Sequence, residues 1–590
     1  MRRRHALSLL ASSLALPLAA PAASDESRRF HQWLDAQWEQ TLKRQPLLAT
    51  SLGDPRYNGL LVDTTTAAYR ADALRDLHRQ LLVLAGFRKA QLDPRDRISH
   101  AILERDLEQR LAGARFPDWM QPLSQLDGLP AMLAQMGSGQ SIQPFRTTRD
   151  YDDWLQRLAR AVPMFDGTIA NMRAGLKAGV TQPRAVMEKV LAQLQALAVG
   201  EPEQSLFWGP VKDFPDAVPA AERERLTAAM RALLATQVLP AYARLLAFVR
   251  DEYLPRARTS TAWSALPDGK AWYAYRVRQA TTLALTPDEI HAIGLQEVAR
   301  ILGEMDRVRR QVGFAGDLKA FFRHLQDDPQ FYFTRPEDLL AGYRALQQKI
   351  NGLTPKLFDI APKADYEVRE VEAFRAESAA GASYQEPSAD GSRPGVFYVN
   401  TFNLKAQPRF GMETLSLHEA SPGHHFQISI AQEDTTLPAF RRFGVNYSAY
   451  VEGWALYAES LGQELGLFTD PYQWYGRLSD EQLRAMRLVV DTGLHAKGWT
   501  REQAIRYMLD NSSMAESDVV SEVERYIAWP GQALGYKIGQ LEISRLRAEA
   551  TAALGAKFDV KGFHRVVLTA GQVPLPVLRE LVMDWVKASR

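Results

Sequence analysis

Residues 418–425 read His-Glu-Ala-Ser-Pro-Gly-His-His, and this octapeptide constrains the fold more than any other segment of the chain. In zinc hydrolases with an HExxH motif, two imidazoles one helical turn apart converge on one metal ion, and the Glu beside the first imidazole acts as a base. The first half of that motif is present here as His418 and Glu419, whereas Pro422 occupies the position of the second His.

The spacing of the remaining imidazoles predicts an interrupted helix. On an ideal helix His418 and His424 would lie about 120° apart around the axis and about 9 Å apart along it. Pro422 cannot donate to the carbonyl group of His418, and Gly423 tolerates unusual backbone dihedral angles. We therefore predict a break that brings His424 back toward His418, with His425 as the alternative second ligand.

A third ligand is expected from a second helix, because a catalytic zinc ion has three protein ligands and one open position. Glu452 fits this role, since it lies in the helix-compatible stretch Tyr-Val-Glu-Gly-Trp-Ala-Leu-Tyr-Ala-Glu at 450–459. Glu459, seven residues later on the same face, could orient a ligating His. Gly453 is expected to allow this helix to pack closely against the motif helix.

The rest of the chain predicts a mainly α fold with a small β-sheet insert beside the motif helix. Apolar residues recur at helical spacing through residues 25–256, and Thr286 begins a helix with a capping box. Between 365 and 401 the pattern changes to period-two alternation, a Pro/Gly-rich loop and a β-rich run. Helices resume from Met412 to the C-terminus.

Two motifs carry a family resemblance, namely His-Glu-x-x-Pro-Gly-His at 418–424 and Glu-Gly-Trp-Ala-Leu-Tyr-Ala-Glu at 452–459. They resemble a bacterial family of exported proteins catalogued without an assigned function and grouped with gluzincin-like metallopeptidases. Further similar stretches lie at 391–400, 487–500 and 530–539.

The resemblance implies a large helical, zincin-like peptidase in which His418, His424 and Glu452 hold Zn²⁺ and Glu419 is the base. The mature chain is then a single metallopeptidase-like domain over residues 23–590. A subdivision into a helical scaffold (23–285) and a catalytic half (286–590) remains open.

Other polar residues are candidates for contacts with the substrate. Tyr536, His495 and Lys537 could donate hydrogen bonds to a developing oxyanion, although Tyr536 and His495 fit a structural role equally well. Arg393 and Arg487 could hold a peptide carboxylate by bidentate contacts.

The β-rich run also carries candidate substrate contacts. Tyr398 and Asn400 lie in it, and zinc peptidases commonly bind substrate along the edge of such a sheet. A hairpin that only fills the core fits this segment equally well.

The N-terminus predicts export. Basic residues at 2–5 precede an apolar run at 6–20, and Ala-Pro-Ala at 20–22 fits a cleavage site, so we predict a signal peptide over residues 1–22. The Arg3-Arg4 pair is compatible with the twin-arginine route as well as the general (Sec) route. We expect a periplasmic or secreted bacterial protein without a Cys-linked lipid, since the chain contains no Cys.

Composition excludes several partner classes. Removal of three Arg changes the formal net charge from +2 to −1 (2 − 3), which does not favour nucleic acid. No later apolar run is expected to span a membrane. The oligomeric state is left open.

The function that this pattern favours is an exported zinc-dependent peptidase acting on short peptides. Two alternatives stay open: hydrolysis of a non-peptide amide by the same chemistry, and a non-catalytic protein that binds a metal or a peptide.

Overall fold

The structure is a computed structural model that describes residues 24–139, 141–372, 376, 380–388 and 393–590. The predicted signal peptide therefore lies outside the described residues, as do residues 391–392 of the segment 391–400.

The chain is mainly α, as predicted. The α-helices that precede the sheet are α1 Asp25–Arg44, α2 Pro46–Ser51, α3 Ala67–Ala85, α4 Pro94–Gly113, α5 Leu129–Gly137, α6 Thr148–Ala178, α7 Arg184–Leu197, α8 Ala220–Leu233, α9 Leu239–Ala247, α10 Gly269–Thr281, α11 Pro287–Gln311, α12 Leu318–Asp327 and α13 Pro336–Leu353. Those that follow it are α14 Met412–Glu419, α15 His424–Glu433, α16 Ser448–Ser460, α17 Gly462–Leu465, α18 Pro471–His495, α19 Arg501–Asp510, α20 Glu516–Ala528, α21 Leu534–Leu554, α22 Val560–Thr569 and α23 Leu575–Ser589.

The capping box predicted at the start of α11 is present. The Thr286 side chain accepts from the backbone N–H of Glu289, and the Glu289 carboxylate accepts from the N–H of Thr286. These reciprocal bonds satisfy two otherwise unpaired donors at the helix end. Helix α11 then packs along α18, where a side chain added at Gly294 would approach Leu488 within 2.8 Å.

The predicted small sheet is confirmed and has three strands. They are β1 Tyr366–Glu370, β2 Ala382–Gln385 and β3 Gly395–Val399, in the order β1-β3-β2. Strand β3 pairs in parallel with β1 and antiparallel with β2. Phe397 of β3 is buried and meets the ring of Tyr343 on α13 at 5.2 Å between centroids. One hydrophobic cluster includes Tyr343 of α13, Phe397 of β3 and Met412 of α14, so the sheet packs against both helices.

Helices α16 and α21 cross at a contact between two glycines. A Cβ on Gly453 would lie 2.5 Å from the carbonyl carbon of Gly539, and a Cβ on Gly539 would lie 1.8 Å from the carbonyl oxygen of Ala449. The expectation that Gly453 faces the motif helix is therefore wrong, because its missing side chain makes room for the backbone of α21.

The helical segment Ala220–Arg256 corrects the expectation that no later run reaches membrane-spanning length. It is long and apolar enough to cross a membrane by length and composition, but half of its most apolar window is buried inside the protein. Its apolar side chains, including Leu226, Met230 and Tyr242, belong to the largest hydrophobic cluster of the N-terminal half. The segment thus contributes to the hydrophobic core of the N-terminal half. The subdivision of the chain at residue 286 stays a prediction.

The glycine crossing predicts a large cost for a single methyl group. We expect Gly453→Ala to lower the free energy of unfolding by about 3 kcal/mol or more, because the new Cβ overlaps backbone atoms that cannot rotate away. The measurement is denaturant unfolding followed by circular dichroism. Gly303→Ala on the exposed face of α11 is the control, since nothing lies within 4 Å of its Cβ. Gly303→Ala should be neutral or stabilising by up to about 1 kcal/mol, and equal effects of the two changes would contradict the close crossing.

Candidate metal centre

The motif helix breaks where Pro422 and Gly423 predict a break. Helix α14 ends at Glu419 and α15 begins at His424, and between them the peptide bond Ser421-Pro422 is cis. Ala420 lies outside the helical region, with φ −110° and ψ −112°. The two imidazoles are therefore carried by separate helices that meet at a sharp corner.

Gly423 makes this corner possible. A Cβ at this position would lie 1.9 Å from the carbonyl oxygen of His418 and 2.3 Å from that of Leu417. The indole Nε1 of Trp454, on α16, donates to the carbonyl oxygen of Pro422 at 2.8 Å. This bond fixes the corner against the helix that carries Glu452.

His418, His424 and Glu452 converge on one point. Glu452 Oε2 lies 3.6 Å from His418 Nε2 and 3.5 Å from His424 Nε2, and one ligand atom of each residue lies within 4.8 Å of the other two. The imidazoles are nearly perpendicular, at 85°, with 4.7 Å between their centroids. Both are almost fully buried.

Glu459 contacts the Nδ1 side of the His418 imidazole, opposite the Nε2 atom that faces Glu452. Its carboxylate accepts from His418 Nδ1 at 2.7 Å and is itself 99% buried. With the proton on Nδ1, the lone pair of Nε2 points toward Glu452 and His424, as in the carboxylate–histidine pairs of metal sites. Arg484 lies 4.0 Å from Glu459 and balances part of the charge.

The electrostatics of the cluster favour a positive charge at its centre. Burial lowers the pKa of His418, but the carboxylates of Glu452 and Glu459 outweigh this effect and raise the pKa to about 10. Burial raises the pKa of Glu452, but the neighbouring imidazoles of His424 and His418 hold it well below its usual value. A proton or a metal cation would stabilise the two buried carboxylates in the same way.

The donor set fits a divalent metal ion. Glu452 Oε2 is buried and has no hydrogen-bond partner among the described residues, although two imidazole nitrogens face it. Ligand atoms bound to one tetrahedral zinc ion lie roughly 3.3–3.6 Å apart, which matches both separations from Glu452. Two neutral imidazoles and one carboxylate are a common catalytic ligand set for zinc.

Glu419 is not one of the three converging groups. It closes α14 directly after His418, is half-buried, and forms no hydrogen bond or ion pair that the described part of the chain supplies. Its negative charge acts on His418 and on the buried phenol of Tyr343. A partly accessible carboxylate beside the cluster meets the requirements for a proton acceptor.

His425, the alternative ligand, points away from the cluster. Its Nδ1 lies 2.8 Å from the hydroxyl oxygen of Tyr384 on β2, and its ring meets Tyr366 of β1 at 4.7 Å. Burial lowers the pKa of His425 to about 4, so the ring is neutral. The corner at Gly423 turns this imidazole toward the sheet, where it fixes α15 to β1 and β2.

Tyr536 lies next to the cluster. Its hydroxyl accepts from Arg525 Nη2 at 3.2 Å, and the guanidinium of Arg487 lies 4.4 Å from its ring centroid. Burial raises the pKa of Tyr536 and the charge of Glu452 raises it further, so the phenol keeps its proton. Arg525 was not among the residues predicted from sequence, because nothing in the pattern of α20 links it to a tyrosine on the next helix.

His495 and Lys537, two of the candidate oxyanion donors, form contacts inside the protein instead. His495 is fully buried, its Nε2 lies 2.9 Å from the carbonyl oxygen of Tyr526, and burial lowers its pKa to about 3. Lys537 is fully buried, and its ammonium contacts Glu481 at 2.6 Å and Glu297 at 2.9 Å. Neither group is available to a substrate in this arrangement.

Arg487 does not face open space as a carboxylate-binding residue would. It forms an ion pair with Glu522 at 2.9 Å and donates to the hydroxyl group of Tyr526 at 3.2 Å. Asn400 is also engaged, because its amide donates to the carbonyl oxygen of Ala376 at 2.7 Å. Both side chains therefore already have partners within the protein.

Arg393 and Tyr398 line a second space, a groove of about 1320 Å³ that runs beside strand β2. A different cavity, of about 580 Å³, adjoins the cluster through Glu452, which lies in its wall. That cavity lies between residues of the N-terminal half, such as Gln182, and residues of the C-terminal half, such as Trp529.

Comparison with known proteins identifies the family of this chain. A family model described as a bacterial protein of unknown function (DUF885) matches residues 46–582. The chain belongs to this family. The predicted membership of a bacterial family without an assigned function is confirmed. The grouping of that family with gluzincin-like peptidases stays a prediction.

Solved structures show the same fold. A candidate lipoprotein from Colwellia psychrerythraea is 31% identical, covers 95% of this chain and 99% of its own, and superimposes with a TM-score of 0.87. A candidate lipoprotein of unknown function from Shewanella oneidensis is 20% identical, covers 94% and 99%, and gives a TM-score of 0.75. No curated protein is significantly similar to the chain.

The geometry predicts that only one of the two adjacent imidazoles binds metal. We expect His424→Gln to lose stoichiometric Zn²⁺ after metal loading and dialysis, and His425→Gln to retain it, because only His424 faces Glu452. Elemental analysis of the purified full chain measures both. Retention of one equivalent by His424→Gln would contradict the ligand set.

The contact from Glu459 predicts a weaker but measurable effect. We expect Glu459→Gln to lower the affinity for Zn²⁺ by about 10- to 100-fold, since the orienting carboxylate behind His418 is lost. Competition with a metal-binding dye measures this change. Glu464→Gln is the control, because Glu464 pairs with Arg547 outside the cluster. An unaltered affinity in Glu459→Gln would show that the imidazole does not depend on this carboxylate.

Proposed function

We propose that this chain is a zinc-dependent hydrolase of short peptides. The observation that carries the proposal is the buried Oε2 of Glu452, which lies between the imidazoles of His418 and His424 and accepts no hydrogen bond from the described residues. A buried carboxylate oxygen that accepts no hydrogen bond is costly, and a cation held by the three residues would stabilise it.

Zn²⁺ bound to His418, His424 and Glu452 would supply a Lewis acid for a peptide carbonyl group and would acidify water. Glu419 would take the proton of the attacking water on its carboxylate and pass it to the leaving amine. Its position directly after His418 and its lack of a partner among the described residues support this role.

Tyr536 is proposed as the donor for the developing oxyanion. Because its hydroxyl oxygen accepts from Arg525, its own proton is left for another acceptor. The raised pKa of Tyr536 keeps that proton in place at neutral pH. A positioned donor of this kind contributes most where water is excluded.

The cavity favours small substrates. Its volume of about 580 Å³ falls within the range of roughly 300–1,000 Å³ that is typical of small-ligand sites, and its walls come from both halves of the chain. A short peptide fits such a space, whereas a folded protein does not.

The cellular location is proposed from the N-terminal sequence and from the relatives. The residues that precede Ser24 have the composition of an export signal, and two proteins of the same fold are named as candidate lipoproteins. We infer an exported or envelope-associated protein that acts on peptides outside the cytoplasm.

The assignment of Glu419 as base predicts a separation of binding from turnover. We expect Glu419→Gln to retain stoichiometric Zn²⁺ and peptide affinity but to lower kcat by at least about 100-fold, since only the proton acceptor is removed. A mixed peptide library analysed by mass spectrometry, together with elemental analysis, measures both properties. The control is Glu580→Gln, an exposed carboxylate on α23.

Hydrolysis that persists in Glu419→Gln would refute the assigned mechanism. A wild-type chain that binds Zn²⁺ and peptides without cleaving any of them would instead support the alternative of a binding protein.

A further inference from the structure

The cavity beside Glu452 contains a carboxylate that the proposed chemistry does not use. Asp127 lies at its wall, on a turn that connects to α5 in the N-terminal half. Because Glu452 and Asp127 line the same cavity, a ligand that fills it contacts both walls.

The carboxylate of Asp127 is held in place before any ligand arrives. Ser124 Oγ donates to its Oδ1 at 2.9 Å, and the indole Nε1 of Trp529 donates to its Oδ2. The turn itself is closed by a backbone hydrogen bond of 3.0 Å from Ser124 N–H to the carbonyl oxygen of Asp127. A fixed acceptor loses little conformational freedom on binding, which favours selective recognition.

The charge of Asp127 is not balanced by the surrounding wall. The other aspartate of the cavity, Asp118, forms an ion pair with Arg276 at 2.7 Å. Asp127 forms no ion pair within the described part of the chain, and its two hydrogen bonds come from neutral donors. Asp127 therefore adds one unbalanced negative charge to the wall that also contains Glu452.

A neighbouring amide suits the backbone of a peptide. Gln121 lines the same cavity, and both its Nε2 and its Oε1 are buried without a hydrogen-bond partner among the described residues. A side-chain amide offers one acceptor and two donors, which complement the N–H and C=O of a peptide group. A ligand with such a group would remove the cost of two unsatisfied polar atoms.

We propose that Asp127 binds a primary ammonium group of a short peptide whose backbone lies along Gln121. The ammonium group is either the free α-amine or the side chain of Lys, and either one forms a charge-assisted hydrogen bond with a carboxylate. This inference rests on the proposed function for the identity of the ligand as a peptide, but it concerns recognition and not cleavage.

The test compares three peptides that differ in their ammonium group: Ala-Ala-Ala-amide, N-acetyl-Ala-Ala-Ala-amide and N-acetyl-Lys-Ala-Ala-amide. Binding to the full-length Glu419→Gln protein, loaded with Zn²⁺, is measured by isothermal titration calorimetry. We expect at least one ammonium peptide to bind about tenfold more tightly than the uncharged peptide, as for a charge-assisted contact at a partly exposed site. The preferred peptide identifies the source of the ammonium group.

Asp127→Asn, added to the same protein, should abolish the preference while leaving the affinity for the uncharged peptide within about twofold, because the amide keeps a similar shape without the charge. Asp216→Asn, an exposed aspartate outside this cavity, should preserve the preference. A preference that falls as ionic strength rises would agree with a charge contact near solvent.

Three outcomes would overturn the inference: no preference for either ammonium peptide, an unchanged preference in Asp127→Asn, or no binding of any of the three. Failure of the proposed function is separate from these outcomes. A chain that shows the Asp127-dependent preference but never hydrolyses a peptide in its unsubstituted form would retain this recognition site and lose the assignment as a peptidase.

Discussion

The contact between the backbone of Gly423 and the carbonyl groups of the preceding helix determines the geometry of the whole site. Because a Cβ at residue 423 would overlap the oxygen of His418, the chain can double back only with glycine at this position. Doubling back turns a six-residue separation, which would place two imidazoles on different faces of a helix, into a pair that shares one carboxylate. The same corner sends His425 to the sheet, where it joins Tyr384.

A second close contact sets the position of the third converging group. Gly453 and Gly539 let α16 and α21 approach until their backbones touch, and Glu452 immediately precedes the first of these glycines. Helix α21 carries Tyr536, so one crossing places both the carboxylate and the phenol near the imidazoles. Glu459, further along α16, then reaches His418 from behind. The rigidity of the site therefore comes from missing side chains as much as from hydrogen bonds.

Much of this arrangement could be predicted from sequence because it depends on local rules. The capping box at Thr286, the helix break at Pro422 and the period-two pattern before Glu370 are each encoded within a few residues. The convergence of Glu452 on His418 could be predicted only because a catalytic zinc ion needs a third protein ligand, which a second helix can supply.

Long-range partners could not be read in the same way. Lys537 and His495 were expected near a substrate, yet each is buried against groups that only the assembled helices bring close, namely Glu481 and the carbonyl group of Tyr526. The prediction that Gly453 packs against the motif helix was wrong for the same reason, because Gly453 contacts the backbone of α21. Arg525 and Asp127 belong to no sequence motif. Their contacts could not be predicted because they depend on segments that are distant in sequence.

The cavity is built jointly by two stretches that lie far apart along the chain. Glu452 and Trp529 line it from the second half of the chain, whereas Gln121, Asp127 and Gln182 line it from the first. Substitutions among residues 118–182 can therefore change the shape and charge of the cavity without altering His418, His424 or Glu452. Ligand preference can therefore change during evolution while the three converging residues stay the same.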